Sequence, residues 1–233
     1  MSKCLLSIDW DYFICSKENR FSYAETPRNI VDSWYKRYFL LKMQGKDARN
    51  LYALSPEVKD FWAKISQKFI IGRDITAYIS DSHSLSYHIA QNTGCSSVYL
   101  FDAHSDLGYG GLSSLNFELN CANWLGKLLK DGIVVKANII YSPYTAEKPQ
   151  DFEEINNAFS VEYLTCRGIP KGIVVAVIHI CRSGAWTPPW YDHEFLKFIK
   201  NSGLHNMEFI DCIPRKWDIR NIDLSQQINY MLA

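Results

Sequence analysis

The chain has 233 residues and balances 25 Lys and Arg against 25 Asp and Glu, a formal net charge of zero. With no Lys/Arg run longer than two residues, it lacks the clustered positive charge that grips nucleic acid or an acidic membrane. No apolar stretch approaches the roughly 20 residues of a membrane span, and the opening segment meets Asp9 too early for a secretory signal. Seven scattered cysteines (Cys4, Cys15, Cys95, Cys121, Cys166, Cys181, Cys212) with no Cys-x-x-Cys read as reduced thiols of a cytoplasmic protein, not as a disulfide frame or zinc site. The length and apolar content suit one domain over 1–233 with a full core.

In chain order, β-branched and aromatic runs predict strands at 4–8, 74–79, 97–101, 138–141, 173–180 and 207–210. Helical spacing of Ile30, Trp34, Tyr38 and Leu41 predicts a helix over 28–43, after Pro27. Ser55 as N-cap, Pro56 at the first helical position and Val58, Phe61, Trp62, Ile65 and Phe69 at helical spacing predict another over 55–70. Further helices are expected over 84–92, 117–130, 191–201 and 223–232, with a Gly/Ser-rich loop at 108–114. This alternation predicts an α/β fold, a three-layer α/β/α sandwich around a mostly parallel sheet.

Three of the strands end in acids and histidines. The first runs into Asp9-Trp10-Asp11, the second into Asp81-Ser82-His83, and the third into Asp102-Ala103-His104-Ser105-Asp106. Continued strand geometry would put alternate residues on one side, so Asp9 with Asp11, and Asp102 with His104 and Asp106, are expected to share a face. Open α/β sheets take their ligands at the carboxyl ends of strands. Packing these acids together without a cation would cost several kcal/mol in repulsion and desolvation.

The candidate ligands are Asp9, Asp11, His83, Asp102, His104 and Asp106. Six such groups exceed one tetrahedral site, and none is a thiolate. Mixed carboxylate and imidazole ligation suits Mn²⁺ better than structural zinc, with zinc, iron and cobalt as alternatives. Two ions about 3.5–4 Å apart, bridged by carboxylates, would use all six and acidify a water between them.

Other positions carry weaker expectations. His179, at the end of the 173–180 strand, is a candidate proton shuttle with Cys181 on its face, or else a core-edge histidine. Asn123, Arg182 and Asp192 are candidate substrate-binding residues, and for Arg182 a structural ion pair is the competing role. Glu25, Glu118 and Glu194 stand beside Asp192 as acids for a cationic substrate. The rigid run Trp186-Thr187-Pro188-Pro189-Trp190 could form a peptide-binding wall. His88, His193 and His205 are expected to face away from the cluster.

These motifs carry a resemblance. Asp102-Ala103-His104-Ser105-Asp106 resembles the Asp-Ala-His-x-Asp signature of the arginase (ureohydrolase) superfamily. Asp81-Ser82-His83-Ser84 is similar to its Gly-Gly-Asp-His-Ser motif, and Ser7-Ile8-Asp9-Trp10-Asp11 to its Ser-x-Asp-x-Asp motif. With Asn123-Trp124-Leu125 and Arg182-Ser183-x-x-x-Thr187-Pro188, the set most resembles the peptide arginases of ribosomal-peptide biosynthesis. The resemblance implies that His83, Asp106, Asp9 and Asp102 bind one Mn²⁺ and that Asp102, His104, Asp9 and Asp11 bind a second, Asp9 and Asp102 bridging. It further implies a metal-bridging hydroxide that attacks the guanidinium carbon of a peptidyl arginine, releasing urea and leaving ornithine, with Asp106 passing the proton to the leaving amine.

The sequence also departs from that pattern. The Asp-x-Asp motif comes first instead of last, Ile14 stands where a third acid is usual, and Ser80 and Asp81 replace the double glycine. The loop histidine expected after Asp106 is absent, the region reading Asn120-Cys121-Ala122-Asn123. Competing readings are a C–N hydrolase for a small guanidino or acylamino substrate, a haloacid-dehalogenase-type phosphatase using Asp9 and Asp11, and a catalytically inactive, metal-stabilised peptide-binding protein.

Overall fold

The computed structural model describes residues 3–17 and 30–232; Glu25, Pro27 and residues 28–29 of the expected first helix lie outside them. The chain opens with β1 (Cys4–Asp9), then β2 (Ile14–Ser16), α1 (Ile30–Met43) and β3 (Tyr52–Leu54). It continues through α2 (Phe61–Ser66), β4 (Phe69–Ile70), β5 (Thr76–Ser80), α3 (Leu85–Thr93) and β6 (Ser97–Asp102). After these come α4 (Trp124–Lys130), β7 (Lys136–Tyr141), α5 (Glu153–Ala158), β8 (Val161–Tyr163) and β9 (Ile173–Cys181). The last elements are α6 (Asp192–Asn201), β10 (Asn206–Phe209) and α7 (Leu224–Leu232). The architecture is the α/β one expected: a parallel sheet in the order β10-β5-β9-β1-β6-β7-β8, with β4 beside the start of β9 and helices on both faces.

Alternation within the central strands sends side chains into two cores. Leu6 and Ile8 of β1 and Phe101 of β6 pack with Phe61 and Ile65 of α2 and Phe195, Phe198 and Ile199 of α6. Leu5, Val98 and Leu100 point the other way, against Ile89 and Ala90 of α3, Trp124, Leu125 and Leu128 of α4, and Ile155 of α5. Both faces of β1 are therefore dry, as in a parallel sheet covered on two sides. A third cluster joins Ile30 and Trp34 of α1 to Tyr52 and the flanking Trp190 and Trp217.

The topology places the candidate site. β1 leads toward α2 on one face, whereas the neighbouring β6 leads to α4 on the other. Connections thus part at the carboxyl ends of β1 and β6, the switch point where open α/β sheets form a ligand crevice. Pairing of Ile8 with Phe101 sets Asp9 beside Asp102. In β9 the register against β1 slips by one residue between Val175 and Val177. Val175 and Ile178 consequently both reach the α2/α6 core, while Val177 reaches the α3/α4 core.

Two predicted helices are shorter than expected. Ser55 accepts from the Glu57 amide as an N-cap, but it starts a 3-10 turn over Pro56–Lys59, and α2 ends at Ser66 so that Phe69 can pair into the sheet. Over 117–123 the asparagines compete with helix formation: Asn120 accepts from the Ala122 amide and Asn123 from the Asn120 amide. The helix therefore begins at Trp124. The Gly/Ser-rich stretch contains a 3-10 turn, Gly111–Asn116. Among the described residues, no helix is long and apolar enough to cross a membrane.

Candidate metal centre

The expected strand alternation is not what gathers the acids. β1 ends at Asp9, and Asp11 lies in a 3-10 turn over Trp10–Phe13 that Asp9 caps by accepting from the Asp11 amide. β6 ends at Asp102, and Asp106 adopts a left-handed φ of 53°. Turns replace strands here because a continued strand would carry Asp106 some 13 Å beyond Asp102, at about 3.3 Å per residue. The folded-back loop rests on α4. The Asp106 carbonyl accepts from the Leu125 and Gly126 amides, and a Cβ at Gly126 would meet the Leu107 carbonyl at 2.2 Å.

Each of three carboxylates commits one oxygen to a backbone amide and aims the other inward. Asp9 Oδ1 accepts from Asp11 N at 2.9 Å, Asp11 Oδ1 from Ala103 N at 3.1 Å, and Asp102 Oδ1 from His104 N at 2.8 Å. The inward oxygens meet the two histidines. His83 Nδ1 stands 3.1 Å from Asp9 Oδ2 and 3.0 Å from Asp102 Oδ2 and Asp106 Oδ2. His104 Nδ1 stands 2.9 Å from Asp11 Oδ2 and 3.5 Å from Asp102 Oδ1. The structure thus brings all six predicted ligands together, and Asp102 is shared between the two groups.

These contacts fit a cation better than hydrogen bonds. His83 Nδ1, Asp102 Oδ2 and Asp11 Oδ2 are buried, and none has a partner in hydrogen-bond geometry despite the short distances. Asp9 Oδ2, Asp102 Oδ2 and Asp106 Oδ2 all lie within 3.1 Å of one nitrogen, more acceptors than a single N–H can serve. Two ligands of one ion, each at about 2.0–2.2 Å and 90–110° apart, lie about 2.8–3.6 Å from each other, the range seen here. The Asp9, His83, Asp102 group and the Asp11, Asp102, His104 group could each hold a metal ion.

Electrostatics agree. Burial pushes the Asp9 carboxyl up to about 6, helped by the charge of Asp11. Burial, then Asp11, Asp106 and Asp9, drive Asp102 well above the carboxylate range. Against burial, Asp102, Asp106 and Asp9 hold the His83 imidazole protonated far above its ordinary value, and Asp11 does the same for His104. Asp11, also buried, stays below its ordinary value because of His104. The raised acids and raised imidazoles alike mark a cluster whose carboxylates outweigh its positive charge, an imbalance a bound cation would relieve.

Above the acids opens a cleft of about 290 Å³, lined by Asp9, Asp11, His83, His104 and Asp106 and walled by Tyr109, Cys121, Ala122, Ser183 and Trp186. Several residues that shape it carried no sequence signal for this role. The Trp124 indole donates to Asp106 Oδ2 at 2.5 Å, and the Ser183 hydroxyl donates to Asp9 Oδ2. Ser183 has a φ of 49°, so the only left-handed non-glycine residues among those described, Asp106 and Ser183, both touch the cluster. Strain of this kind persists where the surroundings over-determine a site. Glu147 accepts from the Ser105 amide at 2.8 Å and from the hydroxyls of Tyr141 and Tyr109. It braces the Asp102–Asp106 loop from outside.

Other predicted site residues lie elsewhere. His179 does not line the cleft; it is fully buried behind His83, with ring centroids 5.7 Å apart. Asn123 is occupied within the 118–123 loop, donating to the Glu118 carbonyl. Arg182 donates to both oxygens of Asp81 and to Asp192, and Asp192 also accepts two hydrogen bonds from Arg215. Neither lines the cleft; both belong to an ion chain of two carboxylates and two guanidiniums. Of the aromatic run, Trp186 faces the cleft 5.3 Å from the His104 ring, while Trp190 packs on Trp34 and Trp217. In comparisons with known proteins, no family model matches the chain, and neither curated proteins nor solved structures give a match.

Proposed function

We propose that this protein is a binuclear manganese hydrolase that converts arginine side chains in a precursor peptide to ornithine, releasing urea. The observation that carries this reading is the pair of ligand groups that share the buried Asp102 and present Asp9, Asp11, His83 and His104 to one cleft. A ligand set of four carboxylates and two imidazoles, with no thiolate, suits Mn²⁺. A pair of such ions, when bound, supplies Lewis acidity and water that ionises near neutral pH.

The chain's own residues fit the rest of the task. The rings of Trp186 and Tyr109 in the cleft wall suit a planar guanidinium, worth about 0.5–2 kcal/mol per cation–π contact. Asp106, anchored by the Trp124 indole, lines the cleft beside His83. It takes a proton as water adds to the guanidinium carbon and returns it to the departing amine. Among the described residues, no Lys or Arg lines the cleft to clamp a free α-carboxylate. That favours an arginine within a peptide over the free amino acid.

The test is mass spectrometry of arginine-containing peptides incubated with the protein and Mn²⁺. Each converted residue loses about 42 Da, the mass of CN₂H₂, with one urea released. Metal analysis should return two ions per chain. A loaded protein that leaves every arginine and small guanidino compound intact would refute the assignment.

A further inference from the structure

Behind His83 runs an unbroken hydrogen-bonded chain through the interior. His83 Nε2 is 2.7 Å from Ser7 Oγ, which is 2.9 Å from Ser86 Oγ, which is 2.5 Å from His179 Nδ1. His179 Nε2 is 2.8 Å from Ser80 Oγ, whose hydroxyl donates to the Ser82 carbonyl at 2.9 Å. The chain joins β1, α3, β9 and β5, and Ser7, Ser80, Ser86 and His179 are all 0% exposed.

Its direction follows from its far end. A carbonyl only accepts, so the Ser80 proton is committed to Ser82, and Ser80 can only accept from His179 Nε2–H. A neutral His179 then accepts at Nδ1 from the Ser86 hydroxyl. Ser86 must in turn accept from Ser7, and Ser7 from His83 Nε2–H. The reverse direction over the first links would require a doubly protonated His179, a cation with no anionic partner in a fully buried pocket.

We infer that Ser7, Ser86, His179 and Ser80 are positioning residues that hold His83 as the Nε2–H tautomer, turning its Nδ1 lone pair toward a cation shared with Asp9, Asp102 and Asp106. This rests on the metal centre proposed above. Partners behind a metal-bound histidine set its tautomer and orientation, and losing one typically weakens metal binding 10–100-fold. The β9 register slip makes the relay possible, since it sets His179 opposite Ser7.

The experiment is calorimetric titration of the metal-free full chain with Mn²⁺, beside thermal unfolding and histidine ¹⁵N NMR. Ser7→Ala should weaken binding 10–100-fold while leaving the metal-free unfolding midpoint within a few degrees. His179→Phe keeps the ring shape without either nitrogen and should weaken it about 10-fold. His179→Gln, whose amide offers an acceptor and a donor on one carbon as imidazole does, should restore most of the affinity. The NMR spectrum should show His179 as the Nε2–H tautomer. Equal affinity in wild type, Ser7→Ala and His179→Phe would overturn the relay, as would an Nδ1–H form of His179. Retention of the relay pattern in a chain that releases no urea would strike the arginase reading alone. A wild-type chain that binds no cation would overturn both.

Discussion

Two buried clusters of charge sit side by side at the carboxyl end of this sheet, and they are built on opposite principles. In the chain Asp81–Arg182–Asp192–Arg215, two carboxylates face two guanidiniums. Arg182 meets Asp81 through Nε at 2.6 Å and Nη2 at 2.5 Å, and Arg215 Nε meets Asp192 at 3.0 Å. Surplus donors reach the carbonyls of Ile213, Gly184 and Thr187. In the neighbouring cluster, among the described residues, the groups able to carry positive charge beside Asp9, Asp11, Asp102 and Asp106 are His83 and His104, and three of its buried atoms have no hydrogen-bond partner. The first cluster is electrically closed and acts as a clamp on the 182–187 loop, which delivers Ser183 and Trp186 to the cleft. The second has more carboxylates than cationic partners, and its ligand groups could hold a metal ion.

Breaking the open cluster should have the largest effect. Asp102→Ala removes the one carboxylate common to both groups, and it is expected to abolish urea release and most metal uptake, read by metal analysis after dialysis; Asp9→Ala should do nearly the same. Substantial turnover in either variant would show that the shared carboxylate is not needed. Breaking the closed cluster should act on stability instead. Arg182→Met leaves Asp81 and Asp192 short of a partner in a buried setting, and chemical denaturation should show a loss of about 3–5 kcal/mol. If the fold survives, metal content should persist, which would separate clamp from centre.

The open cluster also predicts a response to pH. The folded chain raises Asp9 from 3.8 to about 6, so its ionised form is penalised on folding and stability is lost as pH climbs through that interval. His83 is raised above 6.5, so its stabilisation is complete below that pH and disappears as pH rises toward its folded value. The metal-free protein should therefore unfold at a lower temperature at pH 8 than at pH 6. Mn²⁺ should reverse this, because ligands must shed protons to bind. At 100 times the dissociation constant it adds about 2.7 kcal/mol, more evident at pH 8. Calorimetric scans at both pH values with and without Mn²⁺ check the sign, and a metal-free midpoint that rises with pH would contradict it. The smallest effect is expected from Trp124→Phe. It keeps the ring in the α3/α4 core but removes the donor to Asp106, costing about 1.5 kcal/mol as read by denaturation and slowing hydrolysis.

Much of this was legible in the residues. Short runs such as Leu5-Leu6 and Val98-Tyr99-Leu100, buried on both faces, marked parallel strands, and Asp or His at their ends marked the ligands. The elements that escaped, β2, β3, β4, β8 and α5, have two to six residues each, too few for a periodic signal. Asp192 and Arg182 illustrate a different limit: a charged residue at a strand end reads the same whether it meets a substrate or another side chain.

Sequence alone determined the ligand chemistry and the layered α/β plan, because local periodicity and residue type carry both. Only tertiary structure decided that turns, not strand alternation, converge the acids, that Asp102 is shared while Asp192 is paired, and that His179 stands behind His83 at the end of a serine relay. Those facts depend on register between strands far apart in the chain, above all the single-residue slip of β9 against β1, and no short stretch of sequence encodes which residue ends up opposite which.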